Sequence, residues 1–281
     1  MVRRLVYFCL LLAFSADAWA WGLQTHGYFA QALIWLVPIA DPRLRRAAAR
    51  LPRLVLAGAA LPDLVLMSGR RIPALADSHE WETAARLLHA AGSDEERALA
   101  LGFASHLLTD IIAHNHFVPA HERVWFDAPL LTHVASEWAM DRYIAGQLFA
   151  QPAALLAAER ETVVRYVADT FDCRTEDARA TLRALERAER LLRFSGLPTL
   201  AYRVGQAVDR RLDRRFRHYL THTVRRLDQI NRLAAGERPA LAANPCRYRA
   251  QEALATIPDR LLRGRLPLPT DLFAPAGLAA A

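Results

Sequence analysis

The 281-residue sequence has few cysteines and no apolar run long enough to cross a membrane. Leu5 to Phe14 form an apolar stretch of ten residues, whereas a transmembrane helix needs about twenty. Only Cys173 and Cys246 lie beyond this stretch. Two cysteines cannot build a cysteine-rich site, so any metal would bind to nitrogen and oxygen ligands. A disulfide between these two residues is left open by the sequence.

The sequence also has almost no alternation of apolar and polar residues, which is the pattern of a half-buried strand. Apolar residues recur instead at intervals of three and four residues, which predicts an all-α fold with many helices in a single domain. A capping box at Ser93 and Glu96, Pro129 and Gly236 mark helix boundaries. We predict helices near 24–37, 43–59, 81–91, 94–114, 128–149, 152–171, 176–194 and 199–234.

The first twenty residues have the features of a secretory signal peptide. Arg3 and Arg4 precede the apolar stretch, and Ala18-Trp19-Ala20 forms a cleavage motif. We therefore expect a secreted or periplasmic protein that begins at Trp21. The domain would span 21–281, with a tail rich in Pro and Ala from about 237 that holds one short helix near 249–262. The formal charge of +7 would fall to +6 on cleavage, which favours anionic partners without deciding the chemistry.

Eight of the ten histidines lie between His26 and His133, and two of them are paired with carboxylates. His106 and Asp110 are four residues apart on an apolar helix, so they share a face. His133 and Glu137 repeat this spacing on the next helix. In each pair, the histidine and the carboxylate could simply hydrogen-bond to each other. Inward-facing Glu and His on neighbouring helices of a bundle are, however, common metal ligands.

The segment 61–78 is rich in Pro and Gly and is predicted to connect helices. Asp63 lies within it, and His79 follows directly. Connecting segments frequently carry functional groups, so both residues are candidates, although each alone is weak.

In order and spacing, these residues and the mature N-terminus resemble the zinc-dependent phospholipase C family. The resemblance covers roughly residues 21–141, and it implies a centre of three zinc ions. The implied ligands are Trp21, His26, Asp63, His79, His106, Asp110, His116, His133 and Glu137.

The resemblance also implies how these ligands are divided. Asp63, His79, His106 and Asp110 would hold one ion, and Asp110 would bridge to a second ion. The amino and carbonyl groups of Trp21 and the imidazole of His26 would bind this second ion. His116, His133 and Glu137 would hold the third. Asp63 would also orient or deprotonate the attacking water.

One assignment is ambiguous, because a straight helix places His114 on the face of Asp110 while the family spacing selects His116. Asn115 and Pro119 suggest that the helix ends here, so that the side chains of its last residues point in a new direction. We therefore follow the spacing and keep His114 as the alternative.

Other groups near these motifs have ordinary structural interpretations. His121 and Glu122 are expected at the surface, and the stretch from Arg210 to Arg225 is more consistent with a solvated helix face than with a lipid-binding one. Aromatic residues near the motifs are expected in the core, although they also fit a substrate pocket: Trp81, Phe117, Trp125, Phe126 and Trp138.

The resemblance implies a zinc-dependent hydrolase that cleaves phospholipids or other phosphodiesters. Contact with a membrane surface is compatible with the basic charge, and no obligate protein partner is indicated. Two alternatives stay open. One is a single-strand-specific nuclease or 3′-nucleotidase, since nucleases of the same zinc fold also begin with Trp-Gly. The other is a metal-binding protein without catalytic activity.

Overall fold

A computed structural model describes residues 22–125, 129–243 and 273, and these residues form a helical fold, as predicted. Short 3-10 turns at Pro62–Leu64, Pro73–Asp77, Ala145–Gln147 and Leu227–Gln229 join some of the helices. The α-helices, numbered along the chain, are α1 Leu23–Leu36, α2 Pro42–Arg50, α3 Pro52–Gly58, α4 Val65–Ser68, α5 Trp81–Ala90, α6 Asp94–Ile112, α7 Val118–Val124, α8 Pro129–Ile144, α9 Pro152–Ala158, α10 Arg160–Thr170, α11 Thr175–Ser195, α12 Leu197–Val208, α13 Leu212–Val224 and α14 Ile230–Ala234.

Helix α6 lies at the centre of the fold. The predicted capping box is present at its start, where Ser93 accepts a hydrogen bond from the Glu96 backbone and the Glu96 side chain accepts one from the Ser93 backbone. From Ala98 to Ile112 every residue of the helix is buried. A helix that is apolar on all sides is expected in the interior, and α1, α2, α3 and α5 pack around it.

Two glycines allow α3 and α6 to pack closely. A Cβ atom at Gly102 would lie 2.0 Å from the carbonyl oxygen of Val55, and one at Gly58 would lie 2.3 Å from that of Leu99. Neither position has room for a side chain. This close crossing fixes the position of α6 along α3 and so helps to position the polar residues of α6.

Several predicted helices are interrupted in the structure. The segment 43–59 divides at Leu51, since Pro52 lacks the N–H group that would continue the helix and restricts the residue before it. The segment 152–171 divides at Glu159, and 199–234 divides into α12, α13 and α14. Gly236 adopts a positive φ of 91° just beyond α14, as expected for a residue that ends a helix.

The continuation of α6 differs in kind from the prediction. Ala113–Phe117 form a π-helical turn, and α7 follows directly. The chain therefore changes its helical pitch here instead of ending the helix. Turns of this kind occur frequently at functional sites.

Some predictions concern residues outside this description. The signal peptide, Trp21, Phe126 and the short helix near 249–262 all lie there. Cys173 has a free thiol in the described structure, but Cys246 is outside it, so the question of a disulfide stays open. Among the helices described, none combines the length and apolar character needed to cross a bilayer.

Candidate metal centre

Helix α6 places His106 and Asp110 next to each other in the interior. Both side chains are fully buried, and Nε2 of His106 lies 3.1 Å from Oδ2 of Asp110. The four-residue spacing produces this contact. The other oxygen of the carboxylate faces a different element: Oδ1 of Asp110 lies 3.3 Å from Nε2 of His26 on α1.

The segment between α3 and α5 contributes two more ligand atoms. Asp63 lies in a 3-10 turn, and Oδ1 of its buried carboxylate is 3.9 Å from Nε2 of His106. His79 lies just before α5, where its Nε2 is 3.3 Å from Nε2 of His106 and 3.8 Å from Oδ2 of Asp110. The structure thus brings together five predicted residues from four parts of the chain: His26, Asp63, His79, His106 and Asp110.

Hydrogen bonds on the outer side of the three imidazoles define which ring nitrogen faces the cluster. Nδ1 of His106 lies 2.8 Å from the carbonyl oxygen of Ala59, so this nitrogen carries the proton. Nδ1 of His79 lies 3.1 Å from Oγ of Ser78, whose own hydroxyl donates to the Pro62 carbonyl. The ring must therefore be the donor to Ser78.

The same reasoning holds for His26. Its Nδ1 lies 3.4 Å from Oγ1 of Thr109, and that hydroxyl donates to the carbonyl oxygen of His106. In all three rings the Nδ1 proton is used on the outer side, so Nε2 is the nitrogen that faces the cluster. Histidine ligands of metals are held by outer hydrogen bonds in this way.

The electrostatics of the cluster favour a cation at its centre. Burial, followed by the neighbouring His106, lowers the pKa of both His26 and His79 to about 4. Burial also lowers the pKa of His106, but Asp110 and Asp63 outweigh it and raise this pKa to about 9. Without another cation, a proton on His106 is the positive charge that stabilises the two carboxylates.

The buried carboxylate oxygens point in the same direction. Oδ1 of Asp63 and both oxygens of Asp110 have imidazole nitrogens as polar neighbours. Buried carboxylates are costly in a protein interior unless a cation or a hydrogen-bond donor compensates them. In each of two groups, every residue offers one nitrogen or oxygen atom, and these atoms all lie within 4.8 Å of one another. The groups are His26, His106 and Asp110, and Asp63, His79 and His106. This donor chemistry fits zinc.

A second group of predicted ligands lies on α8. Nε2 of His133 is 2.8 Å from Oε1 of the buried Glu137. Burial, together with the charges of Asp110, Asp141 and Asp63, raises the pKa of Glu137 well above its ordinary value. This side chain therefore belongs to the same electrostatic environment as the histidine cluster.

The imidazole beside His133 is that of His114. The two ring centroids are 5.5 Å apart, and the charges of Asp110, His133, His79 and His26 all act on His114. The π-helical turn keeps His114 on the side of α6 that carries Asp110, as the straight-helix alternative expects.

His116 has a different environment. Burial alone lowers its pKa to about 4, its Nε2 has no hydrogen-bond partner, and its carbonyl oxygen accepts a hydrogen bond from Tyr219 of α13. The structure therefore places the ring of His114 beside that of His133. Metal binding by either histidine stays a prediction.

Sequence reasoning did not identify Asp141, which fixes the start of α1. Its Oδ1 accepts hydrogen bonds from the backbone and hydroxyl of Thr25 at 2.9 and 2.8 Å, and its Oδ2 accepts one from Arg193 at 2.7 Å. A Cβ atom at Gly22 would lie only 2.2 Å from Asp141. Asp141 follows Glu137 by four residues, so the spacing that identified Glu137 extends one turn further to it.

Helix α11 provides the counter-charge for Asp141. Arg193 also contacts Glu189, with Nε 2.9 Å from Oε1, and Glu189 is buried. Burial, opposed by Arg193, raises the pKa of Glu189 to about 7. Arg193 thus connects α11 to the start of the helix that carries His26.

The remaining candidates differ in their burial, and Glu122 and Trp138 are half-buried. The surface interpretation of His121 is wrong, because its side chain is fully buried and Nδ1 lies 2.7 Å from the carbonyl oxygen of Phe117. The Arg210 to Arg225 stretch is only partly solvated, since Arg215 is buried against Asp209. As expected, three of the aromatic residues are in the core: Trp81, Phe117 and Trp125.

Comparison with known proteins gives one match. Residues 25–189, more than half of the chain, match the model of a family described as zinc dependent phospholipase C. No curated protein and no solved structure matches the chain. The matched range contains every described residue of the cluster, and it also includes Asp141 and Glu189.

Proposed function

Because the chain belongs to the zinc-dependent phospholipase C family, we propose that it hydrolyses the phosphodiester bond of phospholipids at the histidine and carboxylate cluster. The observation that carries this proposal is the buried cluster itself. Three imidazoles direct their Nε2 atoms toward the buried carboxylate oxygens of Asp63 and Asp110, close enough for shared cations to bind both.

The ligands divide naturally around Asp110. Its Oδ2 faces His106 and His79, while its Oδ1 faces His26. We propose that Asp63, His79, His106 and Asp110 hold one zinc ion and that His26 and Asp110 hold a second, completed by the amino and carbonyl groups of Trp21. His133 and Glu137 would hold a third ion, together with His114 or His116.

Zinc at this centre would supply a water of lowered pKa and a positive charge for the phosphate oxygens. The protein orients the ligands and excludes bulk water. Asp63 is the proposed base, because its carboxylate lies beside His79 and His106. Without a metal ion, burial raises the pKa of this carboxyl group to about 7.

The use of Trp21 as a ligand requires a free amino group. We therefore propose that the first twenty residues are removed and that the mature protein is secreted or periplasmic.

One experiment tests the activity. Zinc content is measured by elemental analysis, and the same preparation is assayed for phosphocholine release from phosphatidylcholine and for nucleotide release from single-stranded DNA. We expect bound zinc and release of phosphocholine, both lost after chelation. Release of nucleotide alone would identify the nuclease alternative, and bound zinc without turnover of either substrate would identify a non-catalytic protein.

A further inference from the structure

The junction of α11 and α12 exposes an unusual set of apolar side chains. Phe194 is 89% exposed and Leu200 is 57% exposed. We use the term apolar corner for the complete set, which consists of Leu191, Phe194, Leu200, Val204 and Val208. Isolated exposed apolar residues are common, but a contiguous group marks an interaction site.

Helix geometry places these residues in two groups on consecutive helices. Leu200, Val204 and Val208 are four residues apart and form a stripe along α12. Leu191 and Phe194 are three apart at the end of α11, and Gly196 joins the helices with a positive φ of 75°. The opposite face of α11 carries the buried Glu189. The corner is therefore the outer face of the helix whose inner face reaches the metal centre.

Arginines surround the apolar corner. Exposed arginines lie on the last turns of α11, within α12 and just beyond it: Arg187, Arg190, Arg203, Arg210 and Arg211. Among the described residues, none of these five forms an ion pair with a carboxylate. Apolar side chains bordered by unpaired cations match the interface of a bilayer that contains anionic lipid, where the apolar groups enter the acyl boundary and the cations meet phosphates.

The corner is connected to the proposed catalytic centre through the helix that it shares with Arg193. Phe194 follows Arg193, which hydrogen-bonds to Asp141, and Asp141 holds Thr25 next to His26. The apolar corner therefore lies on a helix that supports the proposed site.

We propose that the apolar corner is the surface by which the protein binds to bilayers that contain anionic phospholipid. The occupant is a membrane rather than single-stranded nucleic acid, because four of the five side chains are aliphatic and a single phenylalanine cannot stack successive bases. The inference rests on the proposed function for its biological purpose, but the binding itself is measured separately.

The test compares the wild type with two double variants. Phe194→Glu/Leu200→Glu changes the corner. Trp35→Glu/Phe149→Glu is the matched control, because it adds the same charge at another exposed apolar pair, where α1 ends. Binding is measured by co-sedimentation with vesicles of phosphatidylcholine alone and with vesicles that also contain phosphatidylserine. Hydrolysis is measured on the soluble substrate p-nitrophenyl phosphorylcholine, which needs no membrane.

We expect the wild type to bind the anionic vesicles more tightly than the neutral ones. The corner variant should bind them at least roughly tenfold more weakly, since it loses apolar burial and gains repulsion, and the control should bind like the wild type. All three proteins should hydrolyse the soluble substrate at equal rates.

Three results would overturn the proposal. These are equal vesicle binding by the corner variant and the wild type, an equal loss of binding in the control, or light scattering that shows a wild-type dimer which the corner variant breaks. If the wild type bound vesicles through the corner but hydrolysed neither the soluble substrate nor lipid, the proposed function would fail while the binding surface stood.

Discussion

At the scale of single residues, Asp110 has more contacts with imidazole nitrogens than either of the other acidic candidates. We predict that Asp110→Asn loses zinc from two linked sites and abolishes hydrolysis, because the amide has only one oxygen and no charge. Elemental analysis measures the zinc content directly. Asp209→Asn is the control, since Asp209 is also a buried carboxylate but pairs with Arg215 outside the cluster. Full zinc and full rate in Asp110→Asn would refute the bridging role.

His114 and His116 form a second residue-scale test. The contact between His114 and His133 predicts that His114→Ala loses one zinc ion while His116→Ala retains all of them. Anomalous scattering from crystals of each variant counts the remaining ions. Loss of an ion only in the His116 variant would support His116 as the ligand, as the family spacing implies. It would also require that the π-helical turn changes when metal binds.

At the scale of elements, the start of α1 is held against α8 by a contact that permits no side chain. Gly22→Ala would place a methyl group within 2.2 Å of Asp141 and must displace that carboxylate from Thr25. We expect a loss of about 1 to 3 kcal/mol in unfolding free energy and a lower zinc content, because His26 lies one residue after Thr25.

Gly146→Ala is the matched control, as a Cβ atom at that glycine would contact nothing within 4 Å. Urea denaturation and elemental analysis of both variants provide the comparison. Equal stability and zinc content in the two variants would show that Asp141 does not position α1.

The sequence predicted most helices, because they depend on local spacing. The pairs His106 with Asp110 and His133 with Glu137 follow from a four-residue repeat that the α-helix imposes, whereas His26, Asp63 and His79 were assigned through the family resemblance. The helix boundary at Leu51 was missed although Pro52 marks it, and the one at Glu159 was missed because no proline or glycine marks it.

Asp141 was missed because its importance depends on a contact with Thr25, which is 116 residues away in the sequence. His114 was kept as the alternative on the face of Asp110. The π-helical turn itself was missed, since such a turn has no clear composition of its own.

At the scale of the whole molecule, buried histidines make stability sensitive to acid. Burial, with a smaller effect of Arg215, lowers the pKa of His121 from 6.5 to about 3. The unfolded chain therefore binds a proton more readily between these values, and the folded state loses stability as the pH falls through this window. The slope for one such group is at most about 1.4 kcal/mol per pH unit.

We predict that His121→Gln reduces the loss of unfolding free energy between pH 7 and pH 5. Urea denaturation of the zinc-free protein measures it, and His89→Gln makes the same change at an exposed histidine as the control. An identical pH dependence in the wild type and His121→Gln would contradict the prediction.

Processing of the chain is a further property of the whole molecule. If the amino group of Trp21 binds zinc, protein that carries extra residues before Trp21 should contain less zinc and should have lower activity than protein that begins at Trp21. N-terminal sequencing and elemental analysis of the two forms test this directly. Equal zinc content and equal turnover would remove Trp21 from the proposed ligands.

The π-helical turn at Ala113–Phe117 also bears on the length of the chain at this point. Such a turn is equivalent to an α-helix with one inserted residue. On either side of it, α6 keeps its His and Asp face toward the candidate metal centre, while α7 directs His121 into a different pocket, against Phe216 and Tyr219. Deletion of one residue here, such as Asn115, would allow α6 to continue into α7 as a regular α-helix. The turn is therefore the place at which this helix can gain or lose one residue while α6 and α7 keep their positions.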